Sequence, residues 1–163
     1  IKVHQEIQFI WQTGKIYIQQ VRDAIAEVTG EIMRGSSTKA IPNLYVTDFI
    51  KDMAGAYAVA DLVISRAGAG SISEFCLLKK PVILVPSPNV AEDHQTKNAL
   101  ALVNKNAAIY VKDSEAMEKL IPEALQTVVD KNKLQELSEN IYKLALPDSA
   151  SIIAKEVLKL IKD

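Results

Sequence analysis

Arg66-Ala67-Gly68-Ala69-Gly70-Ser71-Ile72-Ser73-Glu74 is the segment whose residue types point most directly to chemistry. Two glycines in three positions let the backbone turn tightly and let a ligand approach the main chain closely. A helix opening here presents unpaired N–H groups and the positive end of its dipole, a site suited to a diphosphate. The same residues have plainer readings. A strand-to-helix turn in any α/β protein uses glycine for its conformation alone. Ser71-x-x-Glu74 matches a capping box, in which Glu74 serves only the backbone of its own helix, and spacing alone favours that role. Arg66 equally suits a solvated surface charge.

A second polar segment, residues 86–98, follows a strongly apolar stretch. Asp93, His94, Gln95 and Asn98 open a helix and lie along one edge of it. Gln95 and Asn98 each pair an amide donor with an acceptor, which suits sugar hydroxyls. The alternative is an ordinary helix start with Asp93 as a dipole-favoured acid and His94 as a surface residue beside Glu92. In Thr47-Asp48-Phe49-Ile50, Phe49 and Ile50 are placed to flank a flat base, or equally to form a hydrophobic staple before the next helix. Gly14-Lys15 lacks the upstream Gly and the following Ser/Thr of a P-loop. No metal-ligand spacing is present, because His4 is the other histidine and Cys76 the one cysteine.

These segments need elements to position them. Strand-forming runs fall at 7–12, 43–47, 61–65, 81–85 and 107–111. Helical patterns fall between them at 15–28, 51–60, 71–79 and 93–104. From Ser114 onward helices alone are predicted, with Met117, Leu120, Ile121, Leu125, Val128 and Val129 on one face and Pro122 kinking or splitting the run. Asp148 is placed to cap a last helix carrying Ile152, Ile153, Val157, Leu160 and Ile161. Strands alternating with helices imply α/β units and a Rossmann-like parallel sheet with flanking helices. Such sheets hold ligands beyond the carboxyl ends of their strands, after Gln12, Thr47, Ser65, Val85 and Val111.

At 163 residues the chain fits one ordinary domain. Its 48% hydrophobic and 24% charged content is that of a globular chain rather than a disordered one. A net charge of −1 without a basic run argues against nucleic acid as the partner. A single cysteine is consistent with a reducing, cytoplasmic compartment. No apolar run has the length of a membrane span. The polar start at Ile1 does not look like a signal peptide and, lacking Met, reads as that of a fragment.

Taken together, the residues at 60–74 resemble the donor-site signature of the MurG family of UDP-GlcNAc transferases. The blocks Pro81 through His94-Gln95-x-x-Asn98-Ala99, Trp11-Gln12-Thr13-Gly14-Lys15 and Thr47-Asp48-Phe49-Ile50-Lys51-Asp52-Met53 are similar to the same family. Four ordered blocks at family spacing cover the chain from about Ile7 to its end. The resemblance implies the C-terminal, donor-binding half of a two-domain glycosyltransferase B fold, with residues 1–163 as a single donor domain. It implies a fold whose first strand and glycine-rich loop would precede Ile1. In a doubly wound sheet that strand is central, so a sheet without it is expected to be damaged, closed up or completed by another segment.

The resemblance also implies roles. Glu74 would hold the ribose hydroxyls of UDP. The backbone of Ala69, Gly70 and Ser71 would hold the diphosphate, with the Ser71 hydroxyl helping. Phe49 and Ile50 would frame the uracil, Ile50 through its backbone, and His94 and Gln95 would face the GlcNAc hydroxyls. Many relatives carry Gln where His94 stands. The reaction implied is inverting transfer of GlcNAc from UDP-GlcNAc to a lipid-linked muramyl-pentapeptide, without cofactor or metal. The general base, the acceptor site and a peripheral contact with the cytoplasmic face of the inner membrane would all belong to the other half, so this chain alone is expected to bind donor without turnover. Rival readings are the catalytic subunit of a two-chain GlcNAc transferase, a non-catalytic Rossmann module, and a nucleotide-sugar epimerase for which His94 is a thin acid/base set.

Overall fold

The computed structural model describes residues 4–89 and 93–160. In chain order the elements are β1 (Phe9–Gln12), α1 (Ile18–Thr29), β2 (Leu44–Thr47), α2 (Met53–Val59), β3 (Val63–Ser65), α3 (Ala69–Leu78), β4 (Val82–Leu84), α4 (His94–Val103) and β5 (Ile109–Tyr110). A 3-10 turn (Asp113–Glu115) then leads to α5 (Ala116–Val129), α6 (Lys131–Tyr142) and α7 (Ser149–Lys159). The predicted alternation is present, and so is the helical C-terminal part. Every ladder is parallel. The chain divides into two compact units, Ile1–Ala58 and Val59–Asp163. The strands form two sheets, β1-β2 and β3-β4-β5.

In the first unit β1 pairs with β2 from Phe9↔Leu44 to Gln12↔Thr47, and α1 is the crossover. Ile25 of α1 is buried with Met33, Ile41, Leu44 and Val46, and Phe9, Ile18 and Val21 pack against that cluster. The helix stops at Gly30, whose positive φ of 69° puts it in the left-handed region while its N–H donates to Ala26 O at 2.8 Å. Val28, the last residue of the predicted helical pattern at 15–28, is exposed. It lies on the last turn, past the reach of the cluster.

The loop between α1 and β2 is held by Glu31. Its carboxylate accepts from Lys39 N at 3.2 Å and Ala40 N at 2.9 Å. The Thr38 hydroxyl is the largest of the contacts that draw its pKa below the ordinary carboxylate range, followed by the Lys39 N–H. A carboxyl whose folded pKa lies below its unfolded one stabilises the fold above the unfolded pKa. That contribution is lost as pH falls through the folded pKa. The Lys39 and Ala40 amide resonances are expected to hold steady down to the ordinary Glu pKa of ~4.3 and to shift below it. Glu31→Gln is expected to remove the transition. A transition at or above that pH in the wild-type chain contradicts the assignment.

In the second unit the order is β3-β4-β5, with Val63↔Val82 and Ile83↔Ile109 in register. Central β4 is fully buried at Val82, Ile83 and Leu84. This is why its sequence is an unbroken apolar run rather than an alternation. Ile83, Val85, Val111 and Ala124 form one cluster, with Leu62, Ile109, Ala116 and Leu120 against it. Helix α3 buries Phe75 and Cys76 and packs on α6, whose Leu137 and Ile141 are also fully buried. Its C-terminal end is fastened there twice. Ser138 Oγ donates to Lys79 O at 2.8 Å, and Lys79 Nζ stands 4.0 Å over the Tyr142 ring. Burial pushes the Cys76 thiol up.

Three expectations are corrected. Pro122 lies within α5, which runs unsplit through it. The proline is exposed, so the Glu118 carbonyl it leaves without a helical donor is on the water side. The buried face of α5 is centred on Ala124 and Thr127, while Met117 is 97% exposed and Val129 also faces solvent. Small residues let this helix approach the sheet, and the large ones flank the contact. Asp148 occupies the N-cap of α7, but its side chain makes no capping hydrogen bond. Ile152, Ile153, Val157 and Leu160 are exposed, and Ile161 lies outside the described residues.

Candidate functional site

The glycine turn is resolved by where α3 begins. The helix starts at Ala69 with Gly68 as N-cap, two residues earlier than the sequence pattern predicts. Ile72 N donates to Gly68 O at 3.0 Å, the first rung of the ladder. The amides of Ala69, Gly70 and Ser71 therefore precede the ladder, and the glycine at the N-cap has no side chain to offer them. This register also disposes of the capping box. Ser71 is the third helical residue rather than the N-cap, so Glu74 sits too far along to reach back to the cap backbone. Glu74 lies on an exposed face one turn on. A Cβ built at Gly70 meets no atom within 4 Å, so the backbone there is open to a ligand.

Around this end the loops after β3 and β4 are laced together by side chains. Gln95 Oε1 accepts from Ala67 N at 3.2 Å and from Ser87 N at 2.9 Å. Asn98 Nδ2 donates to Ala67 O at 3.1 Å. Ala67 is fully buried. The two amides that the sequence offers to sugar hydroxyls are thus partly committed to the scaffold. Of the Gln95 carboxamide, Nε2 is the atom these bonds do not use. His94 is exposed as the first residue of α4, and Asp93 before it takes a left-handed φ of 54°. Asp93 stands at the N-cap of α4, where its charge meets the positive end of the dipole, although its side chain makes no capping hydrogen bond. Val90, Ala91 and Glu92 lie outside the described residues.

Arg66 is not a free surface charge. Its Nη1 donates to Val85 O at 3.1 Å and Pro86 O at 3.3 Å and pairs with Asp113 Oδ1. Sequence reasoning passed over Asp113, since nothing in its neighbours marks it. Its position just past the fifth strand, on the edge where ligands gather, was the available signal.

In the first unit, the ends of β1 and β2 are joined in the same manner. Thr13 N donates to Thr47 O at 2.9 Å and Gly14 N to Asp48 O at 3.1 Å, with Gly14 at φ +79°. Ile50 N donates to Gln12 Oε1 at 2.8 Å, which leaves the Ile50 carbonyl as its backbone group for a ligand. Phe49 is 61% exposed. Asp52 Oδ1 accepts from Gly55 N at 2.9 Å and so caps α2, which makes Lys51 the residue a staple would use. Phe49 is left as an uncovered aromatic face.

Parallel strands with helical crossovers and a glycine-opened helix after a strand end are the frame of a Rossmann-like α/β protein, which holds ligands at the carboxyl ends of its strands. The chain belongs to the glycosyltransferase family 28 C-terminal domain family, whose model matches residues 1–153. It is 74% identical over 155 residues to the UDP-N-acetylglucosamine–N-acetylmuramyl-(pentapeptide) pyrophosphoryl-undecaprenol N-acetylglucosamine transferase of Bacteroides fragilis. That match covers 95% of this chain and 38% of the relative. The transferase of the same name from Bacteroides thetaiotaomicron is 72% identical over 160 residues, 98% of this chain and 40% of the relative. The crystal structure of Acinetobacter baumannii MurG superposes with a TM-score of 0.74 at 28% identity, over 92% of this chain and 42% of that one. The chain thus spans about two fifths of the length of the curated relatives it matches. Among the described residues no helix is long and apolar enough to cross a membrane.

Proposed function

We propose that this chain is the donor-binding part of an inverting N-acetylglucosaminyltransferase that takes UDP-GlcNAc and acts on a lipid-linked muramyl-pentapeptide in peptidoglycan synthesis. The observation that carries this reading is the start of α3, where the Ala69, Gly70 and Ser71 amides precede the ladder and a carboxylate, Glu74, follows on an exposed face. Diphosphate oxygens accept from those amides and from the Ser71 hydroxyl. Glu74 accepts from the ribose hydroxyls. His94 and the Nε2 of Gln95 meet the GlcNAc hydroxyls. Phe49 and the Ile50 backbone take the uracil, a role that rests on the family resemblance.

The chemistry is a displacement at the anomeric carbon. The acceptor oxygen forms a bond to that carbon as the bond to the diphosphate oxygen breaks, and UDP leaves with the electron pair. The hydroxyl proton passes to a base in the acceptor-side half of the whole enzyme. Amides already aimed at the diphosphate stabilise the charge it gains, without a metal ion or cofactor in this reading. The names of the relatives support a lipid-linked acceptor. With it goes a peripheral position on the cytoplasmic face of the bacterial membrane, through the part of the enzyme outside this chain.

Calorimetry of the chain with UDP, UDP-GlcNAc and ADP tests the proposal. UDP and UDP-GlcNAc are expected to bind and ADP to bind at least ~10-fold more weakly, the effect of one or two lost neutral hydrogen bonds to the base at ~0.5–1.5 kcal/mol each. Glu74→Ala is expected to weaken UDP by a similar ~10-fold or more. Equal affinity for ADP, or UDP binding untouched by that substitution, returns the chain to a plain Rossmann module.

A further inference from the structure

We infer that Arg66 and Asp113 form a brace that holds the diphosphate-binding end of α3 in place, making Arg66 a positioning residue rather than a phosphate ligand. This rests on the donor-site reading given above. Arg66 is the first residue past β3, Val85 and Pro86 are the first two past β4, and Asp113 lies three residues past β5. One guanidinium nitrogen therefore reaches the exits of all three strands of this sheet. The next residue, Ala67, is fully buried and gripped by Gln95 and Asn98. Gly68 follows as the N-cap, and the open amides come directly after it. Any slack at Arg66 passes to those amides with two residues between.

The chemistry of the pair favours a brace over a ligand. Nη1 carries two N–H groups, and its acceptors are a carboxylate and two adjacent carbonyls. The two N–H groups of Nη1 are shared among these three acceptors, and Asp113 offsets the charge. A planar, fixed fork suits this task better than a flexible ammonium. The arrangement also explains why an arginine is tolerated beside a turn whose neighbours are small residues: its head is directed across the strand ends.

The two roles predict opposite responses at Asp113. If Arg66 bound phosphate directly, Asp113→Ala would release its charge and leave UDP affinity equal or higher. If the pair is a brace, Asp113→Ala and Arg66→Ala each loosen the same loop. Each is then expected to lower UDP affinity by ~10-fold while leaving uridine affinity unchanged, and the double variant to be no worse than either single one. A merely destabilising change does not alter the UDP-to-uridine ratio. Hydrogen exchange read by NMR at the Ala67 amide, which the Gln95 side chain holds, is expected to quicken by ~10-fold in both variants. Asp113→Leu, which keeps the side chain's shape without an acceptor, serves where the alanine variant does not fold. UDP binding kept or raised in the Asp113 variants, or Ala67 exchange unchanged in them, overturns the brace. Absence of UDP binding by the wild-type chain overturns the donor-site reading instead, and exchange at Ala67 then decides the brace alone.

Discussion

Gly70→Val is expected to leave the fold intact and to cost the chain its nucleotide. A Cβ at this position meets nothing within 4 Å, and the residue has no positive φ, so the fold has no steric objection. Valine has the higher helix propensity, and removing a glycine restricts the unfolded chain. Thermal stability should therefore hold or rise by a few tenths of a kcal/mol up to ~1 kcal/mol. The branched side chain instead fills the space from which a diphosphate must approach the Ala69, Gly70 and Ser71 amides. Losing two such charge-assisted hydrogen bonds, at ~1.5–3 kcal/mol each, corresponds to at least ~100-fold in affinity. Calorimetry with UDP beside a melting curve separates the two effects. A variant that melts early shows that the side chain does not fit the fold, and one that still binds UDP with wild-type affinity places the diphosphate elsewhere.

Phe75→Ala is the substitution expected to hurt stability most within the same helix. Phe75 is 1% exposed in a helix that packs on α6, where Leu137 and Ile141 are equally buried. Truncating such an aromatic costs ~3–5 kcal/mol through lost transfer energy and the cavity left behind. That is a large share of the ~5–15 kcal/mol that holds a typical domain. Leu77→Ala, two residues on and 45% exposed, is the matched control and should cost less than ~1 kcal/mol. Denaturant midpoints for the two variants decide it. Similar midpoints for both mean that α3 does not rest on the core through Phe75.

The elements were legible in the sequence because period and punctuation agreed. The apolar run from Pro81 to Val85 gave a buried strand, and Gly30 ended α1 where expected. Boundaries were less legible. The pattern put Ala69 and Gly70 in a turn, whereas the structure winds them into α3, and that shift decides whether Glu74 can be a cap. Glycine has low helix propensity but no bar to the first turn, where ladder bonds are not yet required. On α5 the largest apolar residues were only a partial guide to the face, since Leu120 packs on the core while Met117 and Val129 are exposed. Close approach to a sheet selects Ala124 and Thr127, a tertiary choice that hydrophobicity alone does not carry.

Side-chain commitments were the least legible. Gln95 was read as a sugar-facing amide, and its oxygen turns out to bridge Ala67 and Ser87, which are distant in sequence. Arg66 and Asp113 are 47 positions apart. Such pairings depend on which strands end side by side, and strand order is not printed in local pattern. The residues around the open amides were visible in the sequence, while the cross-links that hold them were not.

The lone thiol of Cys76 is buried on α3, five residues past the last of its open amides, that of Ser71. Burial raises its pKa, which keeps it protonated as well as shielded. An alkylating reagent reaches that sulfur only in moments when the helix lifts from its bed. Modification speed thus becomes a clock for breathing at this spot, running slower whenever a bound molecule clamps the helix down. The chain carries its own gauge of occupancy, with no foreign label needed.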